Sequence, residues 1–290
     1  MRYEDIYKRV NVDNPKTINV VFPNSLSIFQ ALSEASNKGF IIPRLYGKLD
    51  TMKALADESG LKNAVYVESD SAENAVLATI ADIRDGVGDA LMKGDISTAG
   101  FLSPVLNREK GLRKGAILSH IAVCDSPGYH KLLFLTDGAL NVELGMDKKR
   151  AITDNAIELA ERVLKQKPKI AFAAVVEKLN PKMPETLEAR ELAEEYTAKG
   201  YEAEGPMAID VILNTEAAKK KRIDSKISGD VDIIVFHEIT VCNFLLKSII
   251  ELQRAPVGGL VMGAQVPLIL LSRSDRASEK LNSIALSLIE

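Results

Sequence analysis

Short apolar runs alternate with stretches whose apolar positions recur every three or four residues, and this alternation governs the first hundred positions. Residues 17–22 form a β-branched run that Pro23 ends. Ser25 or Ser27 then caps a helix to about residue 37, with Leu26, Phe29, Leu32 and Ala35 on its inner side. Residues 40–43 and 64–67 are further strands. A helix carrying Met52, Leu55 and Ala56 follows the first, and a helix from about Ser71 with Ala75, Val76, Ala78 and Thr79 follows the second. Residues 90–92 are a fourth strand. Strands this apolar, separated by amphipathic helices, predict a parallel sheet covered on both faces.

Near residue 115 the pattern changes. Residues 117–123 and 131–136 read as strands joined only by Asp125-Ser126-Pro127-Gly128-Tyr129, too short for a crossover helix, so they pair antiparallel. Alternation resumes with a helix over 149–166, a strand at 170–176, a helix over 185–199, a strand at 232–236 and a helix over 241–253. Residues 259–262 and 266–271 lie close together before a terminal helix to Leu288. The fold class is α/β with two domains, residues 1–115 with 262–290 and residues 116–261. The returning carboxy-terminal stretch sets the turns after residues 92 and 271 side by side.

Composition narrows the function. The 290 residues are 46% hydrophobic and 27% charged, with net charge −3, as in a soluble globular protein. A nucleic-acid partner calls for a basic stripe. The one dense run, Lys219-Lys220-Lys221-Arg222, reads as a solvated helix end or, alternatively, a phosphate or nucleic-acid patch. No stretch approaches the ~18 apolar residues of a membrane span, and the amino terminus lacks a secretion signal's apolar core. Cys124 and Cys242 share no Cys-x-x-Cys spacing, so the expectation is a reduced cytosolic protein without disulfide or zinc.

Several familiar motifs fail. Gly86-Val87-Gly88-Asp89-Ala90-Leu91 has leucine where a dinucleotide fingerprint needs its third glycine, and no Walker A sequence exists. His237-Glu238-Ile239-Thr240-Val241 lacks the second histidine of a zincin. His237 therefore reads as a strand-end residue, while His120 and His130 face one another across the strand pair without a third ligand. The Gly-x-Ser-x-Gly elbow of serine hydrolases is missing.

What remains are turns at strand ends. Lys93-Gly94-Asp95-Ile96-Ser97-Thr98-Ala99 and Ser272-Arg273-Ser274-Asp275 offer backbone N–H groups, hydroxyls and a guanidinium to an anion. Loops beginning with Thr136-Asp137-Gly138, Asn180-Pro181-Lys182, Glu204-Gly205-Pro206 and Gly263-Ala264-Gln265 stand where open α/β sheets place ligands. Singly, each is ordinary turn chemistry.

In this order the segments resemble the phosphate acetyl/butyryl transferase family, more closely its butyryltransferase branch. The likeness runs over roughly residues 90–288 and is carried by Leu91-Met92-Lys93-Gly94, Gly111-Leu112-Arg113 with Leu118-Ser119-His120, Leu135-Thr136-Asp137 with Ala139 and Asn141, Asn180-Pro181-Lys182-Met183-Pro184, Glu204-Gly205-Pro206, and Gly263-Ala264 with Val266-Pro267 to Ser272-Arg273. The resemblance implies a phosphotransacetylase-like pair of α/β domains, of isocitrate and isopropylmalate dehydrogenase-like architecture, with a cleft between them. It implies reversible transfer of a short acyl group, butyryl favoured over acetyl, between coenzyme A and inorganic phosphate. Coenzyme A enters as substrate, no metal or nucleotide cofactor is needed, and the assembly is a homodimer or larger homo-oligomer.

Thiolate attack on an acyl phosphate needs donors for the phosphate and the oxyanion, each good donor contributing ~3–4 kcal/mol, whereas a general base adds at most ~2 kcal/mol over the few per cent of thiolate present at neutral pH. The resemblance then assigns Arg273 to the phosphate and Ser272 to the acyl phosphate, with Glu279 or Asp275 as base. Lys93, Gly94, Ser97, Thr98, Ser119, Asp137, Asn141, Asn243 and Lys247 are the substrate-binding set. The chain departs from the family at Ser103, where acetyltransferases carry arginine, at Glu204, where aspartate is usual, and at Cys242, where a helix-start glycine is usual. A cysteine there obstructs any backbone N–H that touches substrate, which motivates a second reading: a binding paralogue with weakened turnover that Cys242→Gly restores. A third, a decarboxylating dehydrogenase, needs clustered metal-binding aspartates and a nicotinamide site that the sequence does not display.

Overall fold

A computed structural model describes residues 1–115, 117–270 and 275–290. The chain forms two compact units, one of Tyr3–Ala116 with Gly258–Glu290 and one of Met1–Arg2 with Ile117–Val257.

The first unit opens with a helix the apolar pattern does not reveal, α1 (Tyr3–Arg9), whose acidic first turn and basic last turn suit the helix dipole. Then come β1 (Lys16–Val21), α2 (Leu26–Asn37), β2 (Ile41–Gly47), α3 (Leu49–Ser59), β3 (Val65–Glu68), α4 (Ala72–Arg84), β4 (Ala90–Lys93) and α5 (Thr98–Val105). β1 pairs in parallel with β2 and β4, and β2 with β3. The β2–β3 ladder begins at Arg44, so Pro43 leaves no gap in it. Ser71 and Ser97 cap α4 and α5, accepting from the N–H groups of Asn74 at 3.1 Å and Gly100 at 3.0 Å.

The second unit holds β5 (Ser119–Cys124), β6 (Leu133–Thr136), α6 (Met146–Leu164), β7 (Ile170–Ala173), α7 (Pro184–Ala198), β8 (Ala203–Met207), α8 (Ile209–Leu213), α9 (Thr215–Lys221), β9 (Ile233–Val235) and α10 (Ile239–Gln253). β5 and β6 pair antiparallel, Ile121 opposite Thr136, as their short connection requires. β6, β9, β7 and β8 then follow in parallel. Leu135, Ala171 and Ile234 from the strands pack with Val211, Ile212, Leu246 and Ile249 from α8 and α10 in its core.

Two expectations change here, and the preferred reading of the lysine run holds. Residues 203–207 are not a loop but β8, and its Pro206 is tolerated because β7 is the strand it pairs with in this unit. His120 and His130 do not face one another: they stand at opposite ends of the strand pair, and His130 Nε2 lies 3.0 Å from Asp230 Oδ1. The lysine run is the last turn of α9, with Lys221 paired to Glu177 at 2.7 Å and Asp210 at 2.9 Å, so it is a helix end rather than a phosphate patch.

The chain then returns to the first unit through β10 (Val257–Met262), β11 (Leu268–Ile269) and α11 (Ala277–Ser287). β11 is antiparallel to β10 and parallel to β4, with Ile269 opposite Met92. Residues 279–287 of α11 are all buried. Its polar side chains have internal partners: Ser283 Oγ accepts from Gly259 N–H at 2.9 Å, and Asn282 Oδ1 accepts from the Tyr7 hydroxyl.

Candidate active site

In the first unit the β4 turn is set by backbone crowding. The N–H of Gly94 donates to Val21 O at 2.8 Å and that of Asp95 to Phe22 O at 2.9 Å. A Cβ at Gly94 would stand 2.2 Å from Val21 O and 2.6 Å from Phe22 O, so glycine alone fits. Lys93 is nearly buried, its ammonium donating to Gly94 O at 3.2 Å. Ser97 and Thr98 are exposed at the start of α5, and Ser103 is exposed further along it.

Two stretches of the family pattern clasp one another: Gln265 N–H donates to Leu112 O at 2.7 Å, Lys114 N–H to Gly263 O at 3.1 Å, and Arg113 bridges to Ala264. The chain leaves β11 at Ile269, level with Met92 and hence beside the Lys93-Gly94 turn. Ser272 and Arg273 lie outside the described residues. Just beyond them, Lys280, 2% exposed, donates to the carbonyl of Asp275, and burial lowers its pKa against the opposing pull of Asp275 and Glu279. Glu279 is not the solvated residue that a terminal helix suggests. It is buried, its Oε2 accepts from Arg276 N–H at 2.7 Å, and its Oε1 lies 3.3 Å from Arg276 Nε, closing a capping box on α11.

In the second unit the loop after β6 is a rigid knot. Asp137, fully buried, accepts from the N–H groups of Ala139 at 2.9 Å and Leu140 at 3.1 Å, and from Asn141, whose amide also donates to Leu118 O at 2.9 Å. Asn243 on α10 donates to Gly138 O at 2.9 Å. Lys247 lies one turn further along the same helix. Cys242 points inward, fully buried, rather than over the helix start. Its Sγ, His120 Nδ1 and Leu246 Cδ2 stand 3.2, 3.6 and 3.7 Å from where a side chain on Gly138 would begin. Burial pushes its thiol well up, helped by the charge of Asp137 and by Cys124, and burial with Asp125 pushes Cys124 up to about 12. Neither thiol is a thiolate nucleophile near neutral pH.

The structure thus gathers Asp137, Asn141 and Asn243 into one cluster, and brings Lys93, Gly94 and the end of β11 to neighbouring strand ends. Ser119 follows Leu118, whose carbonyl accepts from Asn141, and its own buried hydroxyl accepts from Asn155 Nδ2 at 2.8 Å. The roles of Asn155 and Lys280, and the closeness of His120 to the side-chain position of Gly138, were not foreseen. Asn155 carries the one readable signal, an amide partway along an amphipathic helix. Among the described residues no group of three His, Cys, Asp or Glu side chains clusters to hold a metal, and no helix is long and apolar enough to cross a membrane.

Two α/β units with polar turns gathered at strand ends define a protein of the phosphotransacetylase fold. A branched-chain phosphotransacylase from Enterococcus faecalis superimposes with a TM-score of 0.85 at 29% identity, over 94% of this chain and 98% of that one. The chain belongs to the phosphate acetyl/butaryl transferase family, which matches residues 49–288. It is 32% identical to a phosphate butyryltransferase of Clostridium acetobutylicum over 98% of this chain and 96% of that protein, and 32% identical to a phosphate acetyltransferase of Rhizobium meliloti over 99% and 92%. The likeness therefore reaches well ahead of residue 90, into strands whose motifs alone do not display it. The protein is an acyltransferase.

Proposed function

We propose that this enzyme moves a short acyl group, butyryl in preference to acetyl, between coenzyme A and inorganic phosphate, working on the acyl phosphate without a metal or nucleotide cofactor. The observation that carries the reading is the parallel pairing of β11 with β4, which delivers the chain preceding Ser272-Arg273 to the strand end occupied by Lys93-Gly94. In this reading Arg273 and the Lys93-Gly94 turn, with Ser97 and Thr98 at the start of α5, take the phosphate, and Ser272 takes the acyl phosphate. Asp137, Asn141, Asn243 and Lys247 bear on the coenzyme A and acyl side, with Ser119 behind them as a support held by Asn155. A buried arrangement of donors raises the value of each, because the oxyanion of the tetrahedral intermediate meets oriented dipoles instead of water. For the base, both oxygens of Glu279 are engaged by Arg276, which favours Asp275.

The preference for butyryl rests on the butyryltransferase relatives, and one methylene in an apolar pocket is worth only ~1–3 kcal/mol, so acetyl is turned over more slowly rather than refused. The same reading places the enzyme in the cytoplasm, where its highly charged substrates are retained, and as a homo-oligomer. The exposed Phe244 and Leu252 of α10, at 72% and 83%, supply apolar surface for self-association. The test is incubation with butyryl-CoA, isobutyryl-CoA or acetyl-CoA and phosphate while free thiol is followed. Phosphate-dependent thiol release, fastest with a four-carbon chain, is expected. Absence of release with every short acyl-CoA overturns the reading.

A further inference from the structure

A groove of about 620 Å³ runs along β8, bounded by α7 on one side and the segment just after α9 on the other. All its residues belong to the second unit, and none is among those assigned above to acyl transfer. Its floor is apolar, including Met207 and Ile223. Two of its carboxylates are spoken for: Glu177 pairs with Lys221 at 2.7 Å, and Glu204 accepts from Ser225 Oγ and from Lys226 N–H at 2.8 Å. Among the described residues, four charged groups of its lining have no ion pair or side-chain hydrogen bond: Arg190 and Glu194 on α7, and Arg222 and Asp224 opposite. They balance, two positive against two negative, with one of each sign on either wall.

That balance selects the ligand. A simple anion gains a guanidinium but meets the carboxylate beside it, and a simple cation suffers the reverse. A molecule bearing an ammonium and a carboxylate beside an apolar side chain satisfies both signs, with the carboxylate on a planar guanidinium fork, and buries its apolar part on the floor. We propose that this groove is a second ligand site, separate from the acyl-transfer site, for an apolar zwitterion: a free α-amino acid or a short apolar peptide. Nothing in the proposal depends on the acyl-transfer reading.

Isothermal titration of the whole chain with L-leucine and with leucyl-leucine tests it and separates the two sources. The half-molecules isovalerate and isoamylamine are titrated alongside. At least one zwitterion is expected to bind, with each half at least about tenfold weaker. Arg190→Gln with Arg222→Gln weakens binding at least about tenfold, as does Glu194→Gln with Asp224→Asn, while thiol release from acyl-CoA stays at the unsubstituted level. Because all four side chains are exposed, the variants fold. Absence of heat with both zwitterions up to their solubility, equal binding of the halves, or binding that survives both paired substitutions overturns the proposal.

Discussion

Lys280 donates its ammonium to the carbonyl oxygen of Asp275 while almost wholly buried, and Glu279, its neighbour, closes on Arg276. Two consecutive side chains of α11 thus tie down the two residues that precede the helix. The stretch that carries the proposed phosphate-binding arginine ends in an anchored point.

Glu279→Gln keeps an oxygen to accept from Arg276 N–H, whereas Glu279→Ala leaves that donor bare. The alanine variant is expected to lose about 1 kcal/mol, a fall of about 2–4 °C in melting temperature, and the glutamine variant less. If Asp275 is the base, thiol release by Glu279→Gln stays within about tenfold of the parent, because the carboxylate is then a cap and not a proton acceptor. A hundredfold loss of kcat at unchanged melting temperature would assign the base to Glu279 instead.

Gly94→Ala puts a methyl group on the carbonyls of Val21 and Phe22, which belong to or follow the neighbouring strand. β4 cannot shift without breaking its ladder to β1, so a loss of about 3 kcal/mol or more is expected, visible as a lower urea midpoint or as insoluble protein. A variant as stable as the parent would mean that the turn relaxes freely and is not set by this contact.

The sequence displayed the strands of both units because β4, β5, β6 and β9 are buried on every residue and each holds an unbroken apolar run of three or four residues. It hid β8, since Gly205-Pro206 is spelled like a turn. It also disguised α11: Asn282, Ser283 and Lys280 look like surface residues, and only partners distant in sequence, such as Gly259 and Tyr7, make their burial affordable. The candidate site was legible as a set of turns but not as an arrangement. That Asn243 reaches Gly138, or that Cys242 turns inward, depends on how α10 meets the β6 loop, which no local pattern encodes.

Cys242 supports the Gly138 loop from below, so its removal is expected to loosen that loop rather than to free a blocked donor. Cys242→Gly should cost about 1–3 kcal/mol, from the cavity and the glycine in a helix, without raising kcat. A gain in turnover would revive the obstruction reading. In the parent, both thiols should react with a thiol reagent only after unfolding, as burial and their raised pKa values dictate.

Asp230 should contribute to the pH dependence of stability on the acid side. Burial opposes its charge, but hydrogen bonds from Lys169, Lys131 and His130 outweigh that and hold the carboxyl well below the usual range. A depressed folded value stabilises in full above the unfolded pKa of about 3.9 and is lost as pH falls through the folded one. Asp230→Asn is therefore expected to lower the urea midpoint at neutral pH, with the gap to the parent narrowing below about pH 4. A gap independent of pH would show that Asp230 acts through its shape alone.

The first unit is completed by residues made last. During synthesis its opening strands leave the ribosome long before β10, β11 and α11 exist to flank β4 and cover α2, whereas residues 117–257 emerge as one uninterrupted stretch. The later-made unit is thus the one equipped to fold first, and the earlier strands wait with an open edge at β4. Nascent chains stalled before residue 258 would be the form of this protein most prone to aggregate and most dependent on chaperones.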